Sequence, residues 1–275
     1  MPTTTARRTQ GTADAVQDST ALRGAARVGF AAAGLVHILI GVVALRVAFG
    51  GSGEADQGGA LEELAKAPGG EAMLWVVAVA VWCLALFLVI SAIVLRGTDS
   101  KKVWARRAKY VGTAVAYVAV GFTAFEVAIG SGADSSKQTE TWSARLLAAT
   151  GGRTLLVIVG LAVVAVGVYF VVKGVRQKFR EDITLPSSPA VDKAVVVTAT
   201  TGYVAKGVAI VIVGVLFVVA ALTRDADKAS GLDGALKALT DLPFGVVLLV
   251  VVAIGLITYG VYFFFRARYA RLGAR

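Results

Sequence analysis

RVGFAAAGLVHILIGVVALRVAFG, residues 27–50, decides the fold, because the chain writes this phrase three times. Displaced by 80 residues, Gly34, Gly41 and Ala48 fall on Ala114, Gly121 and Ala128; displaced by 173, they fall on Gly207, Gly214 and Ala221. Gly29-Phe30 meets Gly202-Tyr203 in the same frame. The connection that follows repeats as well: Gly59-Ala60-Leu61 through Pro68-Gly69-Gly70 matches Gly234-Ala235-Leu236 through Pro243-Phe244-Gly245, and the middle copy keeps Leu146 and Gly151-Gly152. Gly167-Val168-Tyr169-Phe170 returns as Gly260-Val261-Tyr262-Phe263. Self-similarity at a fixed spacing sets the architecture before any single residue is weighed.

Each copy contains two apolar runs long enough to cross the roughly 30 Å of bilayer hydrocarbon. They lie near Val28–Phe49, Ala72–Leu95, Tyr110–Ile129, Thr154–Val172, Gly202–Leu222 and Phe244–Phe265. A hydrophobic content of 57% and a mean hydropathy of +0.74 exclude an ordinary soluble domain. A spanning segment must satisfy its own backbone hydrogen bonds, so all six are helices. The expected fold is therefore all-α and polytopic: six transmembrane helices in three parallel two-helix repeats, a pseudo-threefold bundle. The copies occupy residues 23–98, 99–182 and 183–270, between a disordered cytoplasmic tail over 1–22 and a short one over 271–275. Short apolar patterns at Leu61/Leu64, Leu146/Leu147 and Leu236/Leu239 predict a helix lying on the outer face in each odd connection. Residues 190–199 and Thr20–Ala26 predict interfacial helices leading into spans five and one.

The net charge of +10 is topological rather than a nucleic-acid footprint, since the basic residues flank the apolar runs without forming a stripe. Nineteen Lys and Arg lie in the tails and even connections, against seven in the odd connections. The positive-inside rule then places both termini in the cytoplasm of a plasma (inner) membrane, with the lipid bilayer as the certain partner. The acidic first connection (Glu54, Asp56, Glu62, Glu63, Glu71) reads as a solvated face.

The seven-residue spacing of Gly34, Gly41, Ala114, Gly121, Gly207 and Gly214 keeps small residues on one seam of each first helix, where close packing favours them. Ionisable residues inside the membrane are functional candidates by default. His37, the chain's one histidine, shares that seam, and its equivalent in the second copy is Tyr117. A His37–Tyr117 contact across the bundle would serve either as packing or as part of a proton path. Arg46 and Glu126 occupy equivalent positions and predict an ion pair between neighbouring helices. Lys206 lies within snorkelling reach of the headgroups. Cys83 is alone in an apolar run, so no intrachain disulfide forms. No phosphate-binding loop, zinc motif or nucleophile elbow is present, so no catalytic, cofactor-binding or metal site is expected, and no enzyme.

RVGFAAAGLVHILIGVVAL, its echo TGYVAKGVAIVIVGVL and the GAL…LA…P-G connection resemble a bacterial membrane family catalogued as a domain of unknown function, number 1206. Its pattern places a basic residue before the second glycine; Lys206-Gly207 keeps it, whereas Ala33-Gly34 and Thr113-Ala114 depart from it. The resemblance implies three tandem two-helix copies in a bacterial plasma membrane and no assigned activity. Two functions stay open: a structural, interaction or stress-related membrane protein, or a small channel or proton/ion-coupled transporter with a central path near His37. A membrane-protein partner, a homo-oligomer and a small-molecule or ion substrate are likewise open; nucleic acid is excluded.

Overall fold

The computed structural model describes residues 20–95, 100–132, 134–240 and 243–272. Nine α-helices and no strand occur among them: α1 Thr20–Ala48, α2 Gln57–Ala65, α3 Gly70–Val94, α4 Ser100–Ala128, α5 Ser135–Ala148, α6 Gly152–Val175, α7 Pro189–Thr223, α8 Gly231–Thr240 and α9 Gly245–Tyr269. Six of them, α1, α3, α4, α6, α7 and α9, are long and apolar enough to cross a membrane. The short α2, α5 and α8 sit in the odd connections and close one end of the bundle, the cap end; the first and last described residues lie at the other, the termini end.

The repeat is visible at the level of single backbone angles. Each second span starts after a residue in the left-handed region: Gly69 at φ +73°, Gly151 at +77° and Phe244 at +62°. The glycine that follows in every copy (Gly70, Gly152, Gly245) has no room for a side chain, because the carbonyl of Leu64, Leu146 or Leu239 lies against it. These pairs fix the frame in which second spans are compared.

The six spans form a ring in chain order. Its tightest joints are between copies: α3 with α4, α6 with α7, and α9 with α1. All three use the small-residue seams. A Cβ on Gly34 would lie 2.8 Å from the Gly260 carbonyl oxygen, and one on Gly41 2.7 Å from that of Ala253. Gly207 and Gly167 oppose each other's carbonyls at 2.7 Å in both directions, with Gly214 and Gly160 one heptad on. At the remaining joint Gly121 lies under the Trp82 indole, whose Nε1 donates to the Val118 carbonyl at 3.3 Å. The seams therefore pack helix on helix.

Contacts within a copy are less uniform. In the first, Gly29 admits Ala80 and Leu84; in the third, Gly202 admits Tyr259. The middle copy has Lys109 at that position, too bulky for such an approach, and α4 and α6 do not pack along their length. The predicted threefold ring thus keeps its order but is open at one joint. The two interfacial helices expected before spans one and five do not stand apart. Thr20–Ala48 and Pro189–Thr223 are continuous helices, since neither Gly24 nor any proline interrupts them after their first turns. Residues 20–22, assigned to the tail, belong to α1; residues 1–19 and 273–275 lie outside the described residues.

At the cap end, Asp56 caps α2 by accepting from the Gly59 N–H at 3.0 Å and receives the Ser136 hydroxyl of the middle copy at 3.0 Å. Asp233 of the third copy accepts from the Ala55 N–H at 2.8 Å. Leu61, Leu64, Leu236 and Leu239 are buried beneath these contacts. The acidic first connection is thus a built joint between copies and not merely a solvated face. Burial, together with Asp134, Asp56, Asp233 and Glu62, raises the Glu54 carboxyl from the usual 4.5 to about 7.

Two outcomes follow from this packing. Gly207→Leu will lower the melting temperature by an amount corresponding to about 1–3 kcal/mol or more, the usual cost of overpacking. Gly112→Leu, at a glycine where an added Cβ would meet nothing within 4 Å, will leave it unchanged in a thermal-shift assay. For Glu54 the folded state holds a proton that the unfolded chain has already released. Its stabilising contribution is fully present below about pH 4.5 and disappears as pH rises through about 7. Glu54→Gln will flatten that fall in a pH series of melts; an unaltered slope would refute the assignment.

Candidate functional site

Each copy places different chemistry at the same frame positions, and the differences converge in the termini half of the bundle. The basic position holds Ala33, Thr113 and Lys206; the next turn holds His37, Tyr117 and Ile210. Because α1 and α7 both pack on α9, His37 and Lys206 meet. The His37 Nε2 and Lys206 Nζ lie 2.9 Å apart, and His37 Nδ1 is 2.7 Å from the Ala33 carbonyl oxygen. A carbonyl only accepts, so Nδ1 carries the proton and Nε2 accepts from the lysine. The ring is neutral in this arrangement, and the lysine supplies the donor it needs.

Aromatic rings enclose the pair. His37 stacks on Phe263 at 5.5 Å between centroids and meets the edge of Tyr259 at 5.0 Å. The Lys206 ammonium lies 4.7 Å from the Tyr259 centroid and 5.4 Å from that of Phe170, within cation–π range. Tyr203, Tyr259, Tyr262 and Phe263 continue the cluster, and Arg266 lies 4.5 Å above Phe30.

From the termini end the connection after α6 reaches into the same cluster. Its 3₁₀ turn, Lys178–Asp182, buries Phe179, which stacks on Tyr203 at 5.9 Å and meets Tyr262 at 5.8 Å. Ile183 is buried beside it, and the segment is tied to the chain's end by Thr184 N–H donating to the Tyr269 carbonyl at 2.7 Å and Arg271 N–H to that of Asp182 at 3.1 Å. Asp182 accepts from Lys173 at 2.5 Å and from Lys109 at 3.1 Å, so it fastens the turn to α6 and to α4 at the ring's open joint. Burial alone would raise its carboxyl. Lys173, Arg266 and Lys109 outweigh that and hold it well below the usual carboxylate range.

Several expectations need correction. Lys206 does not snorkel; its amine is held by His37 and the rings. His37 is met by Lys206, Tyr259 and Phe263, whereas Tyr117 packs into both halves of the core from α4. Arg46 pairs with Glu63 of α2 at 3.2 Å rather than with Glu126, and Glu63 also binds Lys66 at 3.0 Å. Equivalent positions are related by rotation around the ring, with α3 between α1 and α4, so Arg46 and Glu126 are held apart. Lys173, counted as a topological charge, is only 4% exposed. A signal for the central pair was present: Lys206 and the equivalent of His37 differ by one helical turn. The roles of Phe179 and Asp182 had none, because a short polar connection says nothing of where it inserts.

A family model described as Domain of Unknown Function (DUF1206) matches the chain three times, over residues 28–94, 108–177 and 201–270. The chain is also 30% identical over 253 residues, 90% of either chain, to a Bacillus subtilis (strain 168) protein described as "Uncharacterized protein YxxB". No solved structure matches.

The central pair yields a thermodynamic expectation. Interhelical hydrogen bonds in membranes couple by about 0.6 kcal/mol on average and about 1.7 at most. A double-mutant cycle of His37→Phe and Lys206→Met will show a coupling in that range. Additive effects within about 0.3 kcal/mol would mean that the contact contributes nothing beyond packing.

Proposed function

We propose that this chain, which belongs to the DUF1206 family of three-copy membrane proteins, is a closed structural or interaction element of the bacterial plasma membrane, without catalytic activity. The observation that carries this reading is that its own segments fill both ends of the ring. Phe179 and Ile183 occupy the termini end among Phe30, Tyr203, Tyr262 and Phe263. Leu61, Leu64, Leu236 and Leu239 do so at the cap end, over Ile40, Val43, Val77 and Val252. Lys173 is directed at Asp182, Lys206 at the histidine, and the buried Asp56 and Asp233 at the Gly59 and Ala55 N–H groups of the cap end. The excess of Lys and Arg at the termini end supports a cytoplasmic location for both termini. The relative in Bacillus subtilis supports a bacterial membrane.

One feature favours a second reading, a proton- or ion-coupled path: His37 and Lys206 each keep part of their surface accessible, unlike Tyr259 and Phe263 beside them. Proteoliposome flux separates the two. Under the closed reading, wild type will match protein-free liposomes for protons and monovalent ions between about pH 5.5 and 8, the range over which histidine titrates. Flux above that level which disappears in His37→Ala would replace the closed reading with the path.

A further inference from the structure

The open joint of the middle copy exposes positions that the other two copies bury. On α3 and α9 these positions hold Ala80, Leu84 and Phe87, and Gly255, Tyr259 and Tyr262; all six are buried, Leu84 and Tyr262 completely. Their equivalents on α6, Ala162, Val166 and Tyr169, are exposed, the last two at 48% and 46%. Across from them on α4, Gly112 and Ala116 are exposed, whereas Ala32 and Val36, and Ala205 and Ala209, are buried in the sister copies. What remains is an apolar cleft floored by small residues and walled by two spans that diverge because Lys109 replaces a glycine.

The chemistry of its termini end tells what fits there. Lys109 stands in the cleft's mouth with its amine on Asp182. Arg106, one turn earlier on α4, and Arg176 and Lys178, just past the end of α6, are exposed beside it. Trp104 is 66% exposed on the same helix end, the side chain typical of the headgroup level. A second copy approaching through this face in the same membrane would bring two such basic ends together. An occupant with an anionic group at that level and apolar chains below it meets both features.

We propose that the α4–α6 cleft binds one anionic phospholipid, its acyl chains on Gly112, Ala116, Ala162 and Val166 and its phosphate at Arg106 and Lys178. The lipid replaces the helix–helix contact that the first and third copies make for themselves. Juxtamembrane cations attract anionic lipid by an amount corresponding to about fivefold in affinity per Lys or Arg.

Native mass spectrometry of the purified full chain, equilibrated with equal phosphatidylglycerol and phosphatidylcholine, tests this. Wild type will retain one phosphatidylglycerol per chain in preference to phosphatidylcholine. Arg106→Gln/Lys178→Gln, which removes two such cations, will lose about 25-fold of that preference. Gly112→Leu/Ala162→Leu, which fills the cleft, will lose the lipid altogether. Equal retention of the two lipids by wild type would overturn the site, whether or not the variants fold. So would unchanged retention by a cleft-filled variant that melts like wild type. A dimer that the cleft-filled variant abolishes would assign the face to a second copy instead.

Discussion

The bundle depends on how near one backbone can come to the next. Lipid chains are as apolar as the helices, so burying leucine against leucine gives no net drive, and association rests on close packing. The joints between copies meet that requirement with glycine against carbonyl: Gly34 against Gly260, Gly207 against Gly167, Gly41 against Ala253. Because each joint links the first span of one copy to the second span of another, the ring closes through the same contact that joins consecutive copies. The α9–α1 joint does for the chain's two ends what α3–α4 and α6–α7 do within it. The one departure, Trp82 against Gly121, keeps the glycine's role, because an indole face needs the same absence of a side chain.

That dependence explains why the fold was legible and much of the site was not. Small residues seven apart, Gly34/Gly41 recurring as Ala114/Gly121 and Gly207/Gly214, mark the joints directly, and the turn before each second span is written as Gly69, Gly151 or Phe244 followed by glycine. Helix number, repeat count and the covering helices therefore follow from the residue pattern. Which seam meets which helix does not, because every first span has two neighbours and the seam could face either. Arg46 illustrates the consequence. Its equivalence to Glu126 suggested proximity, whereas rotational equivalence separates the two, and the partner is Glu63, only 17 residues on. Lys206 shows the same difficulty in depth: a lysine near the start of an apolar run can bend out to the headgroups or be held within, and only the arrival of His37 from another helix decides it.

The polar groups are distributed unevenly among equivalent positions, and this gives the ring its asymmetry. Ser91, Lys173 and Arg266 share a position in the three second spans; Ser91 returns its hydroxyl to the Phe87 carbonyl, Lys173 binds Asp182, and Arg266 covers Phe30. Ala33, Thr113 and Lys206 share another. Cations thus collect in the second and third copies, around Asp182 and the tyrosines, while the first copy contributes the histidine. Three identical copies would place like charges around the axis, where mutual repulsion in a poorly screened medium would force the helices apart. By differing at these positions, the copies replace repulsion with a lysine–histidine hydrogen bond and a carboxylate shared by two lysines.

The same divergence that lets this centre form also opens one of the ring's joints. Lys109 gives Asp182 its second cation, yet it stands where the other copies need glycine for contact between their two spans. A charge satisfied at the termini end is thereby coupled to a helix–helix contact forgone along the membrane. The ring can tolerate the loss because α4 and α6 are each anchored by a tight joint to a different copy, α4 to α3 and α6 to α7. Were the joints within copies the strong ones, the substitution would have separated the middle copy into two unsupported helices. The order of strengths, between copies first and within copies second, is what allows one copy to specialise without unfolding the rest.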